Sequence, residues 1–172
     1  IKLIYFNFPF WRAEVSRIAL FHAGIKFEDV RISSEEFSII KANGTLKDGT
    51  IIPTKALPCL TVDGVSICQT GAIARFCGKL SGLYPNDDYL ACAFIDQILD
   101  TCSDITNTLS YPPNFQNEND QEKFRKSLYQ VDGKLTKYFK ALNLIMKDYN
   151  SITKDLSPSL HFTIGDLATW GI

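Results

Sequence analysis

The sequence predicts an α/β domain over residues 1–82, a linker over 83–87 and an all-helical domain over 88–172 that is incomplete at its C-terminus. Three observations carry this expectation. Cys59-Leu60-Thr61-Val62 and Val65-Ser66-Ile67-Cys68 are short apolar runs joined by Asp63-Gly64, a dipeptide that favours the positive φ angles of a tight hairpin. The pattern then switches at once to helical spacing, with Thr70 as the N-cap and Ile73, Phe76, Cys77 and Leu80 recurring until Gly82. Beyond Tyr84-Pro85-Asn86-Asp87, a composition typical of a linker, no strand pattern appears.

Taken in order, Lys2 to Asn7 form a strand that is apolar on both faces, as a central strand requires, and Phe8-Pro9-Phe10 interrupts it because proline cannot donate to a ladder. Val15, Ile18, Ala19 and His22 continue at helical spacing, with Gly24 as the stop. Phe27 to Ile32 is a second strand. Ser33 or Ser34 caps a short helix through Lys41 that Asn43-Gly44 ends. The loop from Thr45 to Ala56 is long and polar, and loops of that length are often functional or mobile. A right-handed crossover makes the first two strands parallel, and the hairpin adds an antiparallel pair to the same sheet. After the linker, Tyr89 to Leu109 is helical until Tyr111-Pro112-Pro113. Phe124, Leu128, Val131, Leu135, Tyr138, Leu142 and Ile145 then predict one long amphipathic helix, and two long antiparallel helices begin a bundle. Phe162-Thr163-Ile164-Gly165-Asp166-Leu167 has the form of a capping box, with Thr163 as cap, the Asp166 carboxylate reaching back and Phe162 stapling onto Leu167.

Composition narrows the function. Across 172 residues the hydrophobic share is 45% and the charged share 22%, ordinary for a globular chain. A net charge of -1 gives no electrostatic footprint for nucleic acid or an anionic membrane, and no apolar run reaches the length of a membrane span. Five cysteines at irregular spacings, no CxxC pair and two histidines argue against a zinc or disulfide framework, which leaves free thiols packed in the core and a reducing, cytoplasmic setting. The chain starts at Ile1 without a methionine and stops within a helical pattern, as expected of a piece of a longer protein. The chemistry-bearing stretch is Gln69-Thr70. It lies where a strand ends and a helix begins, so the helix's unpaired N–H groups and the positive end of its dipole face outward. The pair either caps a surface helix or holds a carboxylate or phosphate.

Element order and motifs together resemble the cytosolic glutathione transferases, over nearly the whole chain. The motifs are YFN followed by RAE near the N-terminus, LPCL then DG then QTGAIAR, and the late FTIGDLA box. The first of these looks closest to the tyrosine-type, sigma-like class. The resemblance implies a thioredoxin-like N-terminal domain, a homodimer, glutathione as co-substrate with no metal, and a hydrophobic electrophile as second substrate. It also implies residue roles. Tyr5 is the catalytic tyrosine: a hydroxyl donating to the glutathione sulfur favours the thiolate, which is the nucleophile. Phe6, Arg12, Lys41, Leu57, Pro58, Gln69, Thr70 and Asp104 bind glutathione. Pro58 is the proline that is cis in this fold, turning the Leu57 backbone toward the cysteinyl part. Gln69 and Thr70 hold the γ-glutamyl carboxylate, Lys41 meets the glycyl carboxylate, Arg12 lies near the sulfur, and Asp104 reaches across the dimer to the γ-glutamyl amine.

Departures from the family pattern point to the unusual parts. One extra residue separates Tyr5 from Arg12, and the bulky FPFW segment replaces a smaller, more basic one, so Phe8, Phe10 and Trp11 are expected to wall the electrophile pocket. Phe37 stands where a tryptophan would donate to the glycyl carboxylate, and phenylalanine has no donor. Ala56 replaces a glutamine or lysine, and the loop from Thr45 to Ala56 is longer than usual. Arg75 is expected to be a structural ion-pair partner. The alternatives are a non-catalytic binding protein for glutathione or a hydrophobic ligand on the same fold, and a sigma-like, glutathione-dependent isomerase.

Overall fold

The computed structural model describes residues 1–8, 10–110, 112–153 and 162–172. The elements run β1 (Lys2–Phe6), α1 (Trp11–His22), β2 (Glu28–Ile32), α2 (Ser34–Asn43), β3 (Cys59–Val62), β4 (Val65–Cys68), α3 (Thr70–Ser81), α4 (Tyr89–Ser110), α5 (Glu118–Leu128), α6 (Lys134–Thr153) and α7 (Ile164–Trp170). The sheet order is β2-β1-β3-β4. β1 pairs parallel with β2, and β3 pairs antiparallel with both β1 and β4. This is the thioredoxin-like arrangement expected, followed by the helical region.

The sheet has two apolar faces with different covers. On one, Leu3 and Leu60 join Val15, Ala19 and Leu20 of α1, Ile73 and Cys77 of α3, and buried residues of α4, α6 and α7. On the other, Ile4, Tyr5 and Cys59 meet Ile40 of α2 with Ile52 and Leu57 of the following loop. The Thr45–Ala56 loop is therefore folded on itself. Ile52 is fully buried, its N–H donates to Gly44 O, Leu46 N–H donates to Thr50 O, and Asp48 accepts from Lys2 Nζ at 2.8 Å. That Lys2 ammonium and the Thr50 N–H hold the Asp48 carboxyl well below the usual carboxylate range.

Local signals decide the ends. Ser33 caps α2 in a full capping box with Glu36, and Gly44 closes it at φ 75°. Asp63 at φ 49° and Gly64 at φ 83° make the tight turn between β3 and β4. The region expected to link two domains is packed: Leu83 and Tyr84 are buried, and Leu83 O accepts from Ile164 N–H at 3.0 Å. The Thr163–Asp166 box forms as expected, with Thr163 N–H and Oγ1 both donating to Asp166 Oδ2 at 2.8 and 2.9 Å. The ring of Phe162 is half exposed and lies edge-on to His22.

Two expectations are corrected. The long helix through Phe124 and Ile145 is two helices, α5 and α6, broken at Tyr129–Gly133. Apolar periodicity runs through the break, yet Val131 is exposed, and a side chain at Gly133 would collide with the carbonyls of Ser127 and Leu128. The second concerns α3. Thr70 is its first residue and Gln69 is the cap position, at φ 77° and with no side-chain hydrogen bond to the helix. Tyr111, expected to help end α4, lies outside the described residues; the helix ends at Ser110.

Candidate functional site

The hairpin delivers two backbone segments to one place. β3 begins directly after the cis Leu57–Pro58 peptide, and β4 ends directly before Gln69. Since Cys59 and Cys68 are paired across the two strands, Pro58 and Gln69 are carried side by side at the same end of the sheet. The β1–β3 pairing continues this logic: Ile4 lies opposite Cys59, so one further residue sets Tyr5 level with Pro58.

A cavity of about 510 Å³ opens there, lined by Leu57, Pro58, Gln69 and Thr70 from the sheet end and by Arg12 from α1. Five predicted site residues are thus brought together. Its chemistry is that of an anion site. The N-terminus of α3 carries no side-chain cap, so its first N–H groups and positive dipole end are available to a carboxylate. Gln69 holds a left-handed φ that non-glycine residues rarely adopt, the kind of local cost that persists where surrounding structure and function require it.

The opposite wall comes from α4, and sequence reasoning missed it. Asp100, Ser103 and Asn107 line the cavity, as does Thr54 from the loop before β3. Asp96, Asp100, Ser103 and Asn107 recur every three or four residues, a polar stripe that helical spacing alone exposes. Asn107 Oδ1 accepts from Arg12 Nη2 at 3.1 Å, which ties α1 to α4 over the cavity. Arg75 fills the ion-pair role expected of it, with Nε donating to Asp96 Oδ1 at 2.6 Å and Nη2 to Asp100 Oδ1 at 2.9 Å. Tyr84 Oη donates to the same Asp96 oxygen at 2.8 Å, so burial together with the carboxylate pushes the phenol well above its ordinary range. Gly71 makes this wall possible, because a Cβ there would lie 2.8 Å from Arg75 Nη1.

The remaining predicted residues stand apart from the cavity lining. Tyr5 is 3% exposed, with Phe6 and Phe8 rings edge-on to it at 5.3 and 5.7 Å and the Arg17 guanidinium 6.0 Å from its ring centre. Arg17 is itself buried and held by Glu14 at 2.7 Å and Asp29 at 3.0 Å. Phe6 stacks on Phe8 and meets Phe37 edge-on, while Lys41 Nζ lies over the Phe37 ring at 5.7 Å. Lys41 is exposed on α2 and does not line the cavity. Asp104 lies one turn along α4 from Asp100 and lines a second cavity with Asn107, Phe124, Leu128 and Tyr138, whereas Asp100 is the α4 carboxylate that lines the first. Of the expected electrophile wall, Phe8 and Phe10 are exposed aromatic surface, whereas Pro9 and the Trp11 side chain lie outside the described residues.

The cysteines pack as expected. Cys59, Cys77 and Cys102 are fully buried, and burial pushes their thiols up to about 12, 11 and 12 respectively. For Cys59 the neighbouring Cys68 thiol adds to the rise.

Comparison with known proteins places this geometry in a family. Residues 1–78 match the family described as glutathione S-transferase, N-terminal domain. Glutathione S-transferase 2 of Caenorhabditis elegans is 30% identical over 169 residues, covering 91% of this chain and 75% of that protein. Hematopoietic prostaglandin D synthase of Gallus gallus is 41% identical over 102 residues, covering 58% of this chain and 47% of its own length. Among solved structures, a prostaglandin synthase D of Nilaparvata lugens superposes with a TM-score of 0.72 at 29% identity, covering 97% of this chain and 76% of the other. A relative at that identity over nearly the whole chain, a match across the sheet that builds the cavity and the shared fold lead to one conclusion: the chain belongs to the glutathione S-transferase family.

Proposed function

We propose that this chain binds glutathione at the junction of Pro58 and Gln69 and conjugates its thiolate to small hydrophobic electrophiles. The observation that carries the reading is the uncapped N-terminus of α3 opening into the cavity beside Leu57 and Pro58. Gln69, Thr70 and the first N–H groups of α3 receive the γ-glutamyl carboxylate, and the Leu57 backbone meets the cysteinyl part. Arg12, held by Asn107, lies on the side of the sulfur. Lys41 meets the glycyl carboxylate on the outer side of α2.

Tyr5 donates its hydroxyl hydrogen bond to the sulfur, stabilising the thiolate and lowering the thiol's pKa. The stacked Phe6 and Phe8 with Phe10 offer an apolar surface against which an electrophile is held close to that sulfur, so proximity adds to nucleophile activation. The chain works as a cytoplasmic homodimer in detoxification, with the second copy's Asp104 serving the γ-glutamyl amine. Its functional units divide at residues 83–87, with glutathione on 1–82 and the helices on 88–172.

The test is titration of the bound glutathione thiol together with turnover of an aryl halide by wild type and Tyr5→Phe. The expected result is a thiol pKa below that of free glutathione and a conjugation rate lowered by about tenfold to a hundredfold in the variant, the scale of one lost hydrogen bond to a charged group. An unshifted thiol, or an unchanged rate in Tyr5→Phe, overturns the mechanism. Binding of glutathione with no turnover indicates a carrier instead. A second reading, a glutathione-dependent isomerase acting on a lipid peroxide, is favoured by the relatives named prostaglandin D synthase. It is separated from the first by supplying an endoperoxide and recovering glutathione unconsumed.

A further inference from the structure

Two cysteines face each other across the hairpin that carries the site. The pairing of β3 with β4 sets Val62 opposite Val65, Thr61 opposite Ser66, Leu60 opposite Ile67 and Cys59 opposite Cys68. Val62 and Val65 flank a two-residue turn, so they exchange both backbone hydrogen bonds, and the alternation of an antiparallel ladder makes Cys59 and Cys68 a non-hydrogen-bonded pair. In such pairs the Cα atoms lie about 4.5 Å apart and the side chains stand close together on one face. That spacing is at the short end of what a disulfide spans. Cys59 is fully buried among Ile4, Ile52 and Leu57, whereas Cys68 is only partly buried against the same cluster and remains open to small reagents. The proposed chemistry of the site uses neither.

Their flanks matter. Cys59 follows Pro58 and Cys68 precedes Gln69, the two segments that frame the cavity. We propose that Cys59 and Cys68 are a redox pair, closed to a cross-strand disulfide by a small-molecule disulfide of the oxidised-glutathione class, and that closure weakens glutathione binding by shifting Pro58 against Gln69. Its effect on binding rests on the reading of the cavity as the glutathione site.

The chemistry balances. Cys68 gives its proton to solvent and its thiolate attacks one sulfur of the small disulfide, whose S–S bond breaks and releases one small thiolate. Cys59 then loses its proton and attacks Cys68 Sγ, breaking the mixed disulfide and releasing the second small thiolate. Two protein thiols are oxidised and one small disulfide is reduced to two thiols. The buried Cys59 thiol, shielded from water, makes the closing step slow, so the pair responds to a sustained change of redox state and not to each turnover.

The test uses the whole chain. Reduced protein is incubated with oxidised glutathione, quenched with N-ethylmaleimide and digested with trypsin. No lysine or arginine lies between Lys55 and Arg75, so one peptide, residues 56–75, carries Cys59 and Cys68 and no other cysteine. The expected peptide carries no maleimide and is two hydrogens lighter than the dithiol form. After desalting, glutathione affinity is expected to be weaker by about fivefold, the scale of one hydrogen bond lost, and to return with dithiothreitol. Cys68→Ser keeps the reduced protein's affinity and loses the response, and Cys59→Ala provides the same comparison from the other strand. A peptide carrying two maleimides, or a stable mixed disulfide on Cys68, overturns the pair. A closed disulfide with unchanged affinity overturns the coupling. Reduced protein that does not bind glutathione overturns the site reading, and the peptide mass then decides on the pair alone.

Discussion

Replacing Thr163 by alanine should destabilise the fold by about 2.5 kcal/mol, more than an ordinary cap costs. Loss of an N-cap hydroxyl is typically worth about 1 kcal/mol and reaches about 2 in the upper range. Three features place Thr163 at that upper end. It is fully buried, its Oγ1 donates to a carboxylate oxygen of Asp166 at 2.9 Å, and it accepts from Gly165 N–H at 3.2 Å. A buried N–H left without its acceptor adds its own desolvation, and the lost methyl adds about 0.8 kcal/mol. Asp166 keeps the Thr163 N–H at 2.8 Å, which limits the damage. Thr163→Ser retains the hydroxyl and should cost only about 0.8 kcal/mol. Urea unfolding followed by tryptophan fluorescence and by circular dichroism measures both, and in thermal melts the alanine variant should fall by about 5–10 °C. If alanine costs no more than serine, the hydroxyl is not what holds this junction, and the reasoning fails.

Other outcomes follow from the same geometry. Arg75→Leu removes both ties from α3 to α4 and should cost about 1–2 kcal/mol in thermal melts, because both pairs are partly solvated; Asp100→Asn alone, at the more exposed carboxylate, should cost under about 0.5 kcal/mol. Gly71→Ala improves helix propensity by up to about 1 kcal/mol but presses on Arg75 Nη1, so glutathione affinity by calorimetry should fall several-fold; a stabilised protein with unchanged affinity would show that the guanidinium moves aside freely. Stability should also decline at alkaline pH. Cys59, Cys77 and Cys102 have folded-state values raised to about 12, 11 and 12 from 9.0, so their contribution is complete below about pH 9 and is lost as pH rises toward 11 and 12, while the unfolded chain ionises first. Replacing the three by alanine or valine should flatten that decline in urea titrations between pH 8 and about 10.5.

What the sequence made legible was what short-range chemistry decides. Asp63-Gly64 between two β-branched runs leaves few choices but a hairpin, and Thr163 with Asp166 three residues on leaves few but a capped helix. The pairing of sheet end and helix start at Gln69 was equally readable, although which residue takes the cap was not. Gln69 adopts a positive φ that its type does not favour, and only the surrounding packing can impose that. Periodicity misled at Val131, where an apolar residue falls on the helical stripe but the chain has turned at Gly133. The loop from Thr45 to Ala56 looked open because its polar residues outnumber the one that organises it, Ile52. The far wall of the cavity was out of reach for a different reason. Asp100, Ser103 and Asn107 come to line one cavity with Arg12 and Thr70 only when α4 packs beside α3, a placement set by contacts distant in sequence.

The face of the first sheet unit that carries α1 and α3 has an order-of-assembly consequence. Leu3, Val15, Ala19, Ile73 and Cys77 share one core with Ile95, Ile98 and Leu99 of α4 and with Ile164 and Leu167 of α7, and the Leu83 carbonyl accepts from Ile164 N–H. On the ribosome α4 and α7 emerge after the N-terminal unit, so part of that unit's apolar surface stays open until they arrive. Domain-by-domain folding is therefore incomplete here by construction. A nascent chain arrested before α7 should hold chaperones longer than one released after it, and an isolated N-terminal piece should associate with itself through that same uncovered face.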